Sequence, residues 1–155
     1  MFKKRLFGVM AVLVVLMLAL GLAACSSDDD GGGGPSDGPG GRPSGGGDIP
    51  ADYTHGWPSD NTLAKYGLGG LPKWSGAGDS WYGTEKEDDV EVIAIVFEAS
   101  SDPTSFYRNW FISNGFEEFS YGGTVSFVSD TGAVGTVYYE KSEGYGYVGG
   151  GIVLF

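Results

Sequence analysis

The chain has 155 residues, 29 of them glycine, with 20 acidic against 9 basic side chains, one cysteine and one histidine. The net charge of −11 argues against a nucleic-acid binder, because phosphate backbones are gripped by Lys and Arg, and a single cysteine excludes a disulfide-stapled scaffold. These totals divide into three stretches, 1–24, 25–52 and 53–155, of which the last has 103 residues with 14 acids, 5 bases and 20 aromatics, enough for one modest core.

At the N-terminus Lys3, Lys4 and Arg5 precede a largely apolar run from Leu6 to Ala24, the charged and apolar regions of a secretory signal. Its 19 residues are also just long enough to span a bilayer. The run ends in Leu22-Ala23-Ala24-Cys25, which resembles the lipobox of bacterial lipoproteins. That resemblance covers residues 1–27 and implies a diacylglycerol thioether on Cys25, cleavage before it and acylation of the new amino group. The alternative is an uncleaved transmembrane anchor with Cys25 as an ordinary thiol. Both put the remainder of the chain on the extracytoplasmic side.

Residues 25–52 read as the lipidated cysteine and a flexible linker. From Asp28 to Asp52 Ile49 is the one sizeable aliphatic side chain among Gly, Pro, Ser and Asp, so nothing offsets the entropy of ordering the segment. Such a tether reaches roughly 25–30 Å. Asp28-Asp29-Asp30 is not a calcium loop, because Pro39 stands where the twelfth-position acid belongs.

Within 53–155, Ser59 or Asp60 is placed to cap a short helix through Leu63 to Tyr66, stopped by Gly67. Val90–Phe97 is apolar on both faces, as in a central strand. A helix over about 103–114 comes next: Ser101 or Asp102 as cap, Pro103 in the first turn, Gly115 at the C-cap, and one broad stripe of Phe106, Tyr107, Trp110 and Phe111. Alternating strands are expected at Glu117–Tyr121, Thr124–Ser129, Ala133–Glu140 and Tyr145–Phe155.

Pairing Ser129 with Ala133 around a loop closed by Gly132 puts Val125, Phe127, Val137 and Tyr139 on one face. A Lys141–Gly144 loop then pairs Tyr138 with Tyr147, and Gly135, Gly146 and Gly150 leave room for the aromatic helix. The expected fold class is therefore α+β in two layers. It has one helix (about 103–114) packed on a largely antiparallel sheet of four to five strands, in the order β-α-β-β-β(-β). The opposite face collects Tyr138, Tyr145 and Tyr147, a candidate binding surface for an extracellular protein or a glycan, since tyrosine tolerates water and still offers contact area. The competing reading is that the segment from Tyr53 to Trp81 folds over this face.

Trp57-Pro58, Leu63-Ala64, Leu71-Pro72, a strand, a helix with Tyr107, the Gly115-Phe116 close and three or four C-terminal strands together resemble a domain of unknown function found behind lipobox signals in small bacterial lipoproteins. The resemblance spans Trp57–Phe155, implies an α+β shape and carries no catalytic residues.

Chemistry has little to work with. A serine triad would need His55, the sole histidine, and zinc lacks His and Cys ligands. Asp88-Asp89 lies in an acidic turn, and Glu117-Glu118 point to opposite faces if extended. The expectation is a non-enzymatic binding or interaction module without metal or cofactor, held by lipid on Cys25 at the extracytoplasmic face of a bacterial cell membrane. The alternatives are a small envelope hydrolase using carboxylates such as Asp88 or Asp89 with His55, or a purely structural envelope component.

Overall fold

A computed structural model describes residues 49–87, 90–121 and 124–153. The segment expected to be a signal, Cys25, residues 26–48 of the expected linker, Asp88, Asp89, Leu154 and Phe155 lie outside the described residues. In chain order the elements are β1 (Thr54–His55), α1 (Asp60–Lys65), β2 (Ala77–Glu87), β3 (Val90–Ala99), α2 (Thr104–Ser113), β4 (Phe116–Tyr121), β5 (Thr124–Ser129), β6 (Ala133–Glu140) and β7 (Tyr145–Ile152).

The strands form one seven-stranded sheet in the order β1-β2-β3-β7-β6-β5-β4, antiparallel at every pairing. This overturns the two-layer α+β expectation of four to five strands and one helix. The protein is sheet-rich, with two small helices among the described residues. The physical reason lies in Ala77–Glu87. Its apolar residues Trp81 and Tyr82 are adjacent rather than alternating, and a charged run comes after them, so no period of two is visible. Yet Val90–Ala99 is apolar on both faces and needs a hydrogen-bonding neighbour on each side. β7 supplies one and β2 the other, with Trp81 opposite Val96 and Thr84 opposite Ile93. The two-residue β1 then adds to β2 through Thr54–Tyr82 and His55–Trp81.

From β3 the chain crosses by α2 to the far edge of the sheet, then returns as a β4-β5-β6-β7 meander that ends beside β3. The helix must therefore pass over one face. Pro103 is the N-cap, without a side-chain cap bond; just before it Asp102 Oδ1 accepts the Thr104 N–H at 2.8 Å in a side-chain turn that leads into the helix, and Gly115, with φ +83°, takes the left-handed turn that releases the chain into β4. Tyr107 and Phe111 are buried from α2, and Phe116 closes over its end, 5.1 Å from Phe111 in an edge-to-face contact. Phe111 also stacks on Phe127 with centroids 4.3 Å apart and planes 10° apart.

The meander registers derive from the turn chemistry. Gly132 (φ +84°) closes the β5–β6 loop, with Val125 opposite Val137, and Tyr138 faces Tyr147 across β6–β7. Phe127, Val137 and Val148 therefore join Ile93, Ile95 and Phe97 under the helices in the main core. Gly135 and Gly146 lie directly beneath Phe111 and Phe97, where a Cβ would collide with the rings. α1, capped by Ser59, brings Leu63 into this core, and the segment after it adds Leu68 and Leu71. That segment is pinned to α2 by two hydrogen bonds: Trp74 N–H donates to Tyr107 Oη at 3.2 Å, and Trp110 Nε1 donates to the Gly70 carbonyl at 3.1 Å.

Candidate functional site

The sheet face away from the helices carries Val92, Ala94 and Val96 of β3 and, in register with them, Gly151, Gly149 and Tyr147 of β7. Alternation alone puts Tyr138, Tyr145 and Tyr147 here together. Tyr138 and Tyr147 are cross-strand partners with ring centroids 5.9 Å apart. These tyrosines do not form an open platform. Tyr145 and Tyr147 are only 4% and 8% exposed, and with Val96 they make a second core against which Ile49, Tyr53, Trp81 and the half-buried Tyr138 pack. The cover thus comes from Ile49, Tyr53 and Trp81, whereas Trp57 and Trp74 pack against the main core on the helix side.

Electrostatics keep these phenols protonated. Burial, with Glu143 and Tyr145 nearby, pushes Tyr147 up to about 12. Tyr145 is raised by burial and then by the charges of Glu98 and Glu143. Tyr138 is raised first by its hydrogen bond to Glu140, whose Oε2 accepts from the Tyr138 hydroxyl at 2.6 Å. Glu140 is lowered in turn by Ser142 and Tyr138.

Where the tyrosine face ends, beyond Tyr145, a cleft of about 480 Å³ opens, lined among others by Gly76, Gly78, Glu98, Glu143, Gly144 and Tyr145. Three local features build it. First, the β2–β3 register shifts between Ala77 and Ser80: Ala77 pairs with Ala99 and Ser80 with Phe97, leaving Gly78 and Asp79 opposite Glu98 alone. Two residues against one is a β-bulge, a device found next to functional sites. Secondly, Glu98 pairs with Tyr145 across β3–β7, so carboxylate and phenol project side by side. Thirdly, the Ala99 N–H donates to the Gly144 carbonyl at 2.7 Å, tying the Glu143-Gly144 loop to the end of β3.

The bulge turns the Asp79 N–H toward Glu98, whose Oε2 accepts it at 3.3 Å. A Cβ at position 78 would stand 2.6 Å from Glu98 Oε2, so a larger residue there would displace the carboxylate. On the outer rim Lys73 Nζ donates to the Gly78 carbonyl at 2.8 Å. Strand alternation in the sequence points to Tyr145 but not to Glu98 or Glu143. The available signal for them is the glycine pair at 76 and 78 beside a strand, which marks a bulge or a close backbone approach.

The remaining sequence-level sites do not converge. His55 is exposed, with Nε2 3.8 Å from Asp79 Oδ1 and its ring edge-on to Trp81. Glu117 pairs with Val128 and Glu118 with Phe127, on opposite faces, and Glu118 is engaged by Arg108 Nε at 2.6 Å. Among the described residues no group of three or more His, Cys, Asp or Glu is placed to hold a metal ion, and no helix is long and apolar enough to cross a membrane. No protein-family model, characterised protein or solved structure matches this chain.

Proposed function

We propose that the chain is anchored by lipid on Cys25 to the extracytoplasmic face of a bacterial cell membrane and works there as a non-enzymatic binding module, with the cleft beside Tyr145 as its site. The observation that carries the address is Leu22-Ala23-Ala24-Cys25 at the end of the apolar run. Two or three acyl chains, at about 0.8 kcal/mol per buried methylene, hold a protein on a bilayer essentially permanently. Cleavage before Cys25 would leave 6 bases against 20 acids, a net charge of 6 − 20 = −14. Such a chain is repelled by anionic headgroups, so the domain stands off the surface on its tether and faces outward.

Binding is favoured over catalysis by the contents of the cleft. Its polar side chains are Glu98, Ser100, Glu143 and Tyr145, with no histidine or thiol among the lining residues, so the Ser-His and Cys-His pairs of nucleophilic catalysis are not found there. Partners in keeping with this setting are an extracellular protein or a glycan.

The address is tested by growing a bacterial host with labelled palmitate. The wild-type chain takes up label and Cys25→Ala takes up none; equal labelling of the two proteins refutes the lipid anchor.

A further inference from the structure

We infer that residues 49–56, where the expected tether enters the fold, form a detachable strap, hinged at Gly56 and latched by Tyr53 over Gly83, whose release bares Tyr145 and Tyr147. The strap begins with the one sizeable aliphatic side chain between Asp28 and Asp52, and the fold gives it a specific place. Ile49 and Tyr53 both pack against the cluster of Val96, Tyr145 and Tyr147. These two side chains are the apolar anchors of a segment that has little else to offset the entropy of ordering it.

The latch is a ring in a slot. A Cβ at position 83 would overlap Cε1 and Cδ1 of Tyr53, so the phenol lies against the β2 backbone where glycine leaves room for it. Its hydroxyl donates to Glu85 Oε1 at 3.4 Å, and the Tyr53 N–H donates to the Pro50 carbonyl at 3.1 Å, closing the turn between the two anchors.

Beyond the latch little resists opening. β1 is two exposed residues paired with Tyr82 and Trp81. His55 comes only within 3.8 Å of Asp79, between exposed side chains, and ion pairs at such a surface are worth little. Like charge also opposes the latch, because Asp52 adds to the burial that raises the Glu85 carboxyl.

Opening has a defined end. Gly56 has φ +114°, a conformation readily open to glycine, and a Cβ there would meet nothing. The next residue, Trp57, is fixed on the helix side against Phe97, with ring centroids 6.1 Å apart. A pull arriving through the tether therefore reaches Ile49 and Tyr53 before it reaches the main core. Segments with few buried contacts open at free energies far below global unfolding. Trp81 stays in place as part of β2, whereas Tyr145 and Tyr147, only 4% and 8% exposed with the strap seated, lose the Ile49 and Tyr53 side chains packed against them.

The test uses the full chain in neutral detergent micelles. Hydrogen exchange over residues 50–56 is followed by mass spectrometry beside peptides from β3 and α2, and acetylation of Tyr145 and Tyr147 by N-acetylimidazole reports their exposure. In Gly83→Ala the new methyl displaces the ring, an overpacking worth at least ~10-fold in the open population. Exchange over 50–56 and acetylation of both tyrosines should rise together by that factor, while β3 and α2 stay as in the wild type. Tyr53→Ala should act in the same direction without adding an atom, and Gly83→Ala placed on Tyr53→Ala should add nothing further, since the methyl then has no ring to meet. Equal acceleration of the strap, β3 and α2 overturns a strap that opens apart from the domain. Unchanged exchange over 50–56 in both single variants overturns the latch, and faster exchange with both tyrosines as protected as before overturns the strap as their cover.

Discussion

Gly135→Ala probes the packing that joins the helix to the sheet. Gly135 lies opposite Phe127 on β6, and its Cα hydrogens face the Phe111 ring. A Cβ there would overlap Cε1 and Cζ of Phe111 and stand 3.2 Å from its Cδ1. The ring has no free direction in which to retreat. It is stacked on Phe127 at 4.3 Å and held edge-on by Trp110 and Phe116, each at 5.1 Å. Overpacking of this kind costs about 1–3 kcal/mol. The constraint on Phe111 puts this site near the upper end, and replacing a strand glycine returns about 0.5–1 kcal/mol. The net expectation is a loss of about 2 kcal/mol, or ~8–16 °C in Tm for a domain of this size.

Urea denaturation followed by tryptophan fluorescence measures this directly, with an unchanged m-value showing that the two states remain comparable. Phe111→Leu should relieve the clash, so the double variant should be more stable than the sum of the single losses predicts, with a coupling of at least ~1 kcal/mol. A Gly135→Ala domain within ~0.5 kcal/mol of wild type, or strictly additive losses, would refute the packing described.

Two further outcomes come from the buried polar groups. Ser126 Oγ is buried and makes no hydrogen bond among the described residues, so Ser126→Ala should stabilise the domain by about 1 kcal/mol by removing an unsatisfied hydroxyl; a destabilised variant in the same urea assay would contradict this. Tyr147 is pushed up to about 12, and Tyr53 and Tyr107 are also raised, chiefly by burial. A phenol whose folded pKa exceeds its unfolded one contributes stability that is intact below about pH 10 and is lost as pH rises toward the folded value. Absorbance at 295 nm should therefore show Tyr53, Tyr107 and Tyr147 ionising only well above pH 10 or on unfolding. A single step near pH 10 for all of them would disagree.

The legible part of the fold is where one local signal suffices. Pro103 with the aromatic stripe marks α2, and the Gly132 turn sets the β5–β6 register; with the Lys141–Gly144 loop it puts Tyr138 opposite Tyr147. What escapes is whatever depends on distant partners. β2 carries Trp81 and Tyr82 next to each other, one for each face, and then a charged run; only β3 beside it makes the segment a strand. β1 consists of two exposed residues whose structure is wholly the register with Trp81 and Tyr82. The site divides in the same way. Tyr145 is visible through strand alternation, whereas Glu98 gains its meaning from a bulge in a strand that carries no alternation of its own. The cover over the tyrosine face is equally hidden, because Trp57, Trp74 and Trp81 are alike in hydrophobicity and only the fold sends Trp81 to one side and Trp57 and Trp74 to the other.

The claim on which the functional account depends is the lipid on Cys25, and the intact mass of the protein extracted from bacterial membranes tests it most directly. The account predicts a chain beginning at Cys25 whose mass exceeds that of residues 25–155 by a diacylglycerol group, with or without a further acyl chain. Recovery of the whole unmodified chain, at 16.2 kDa, would contradict it.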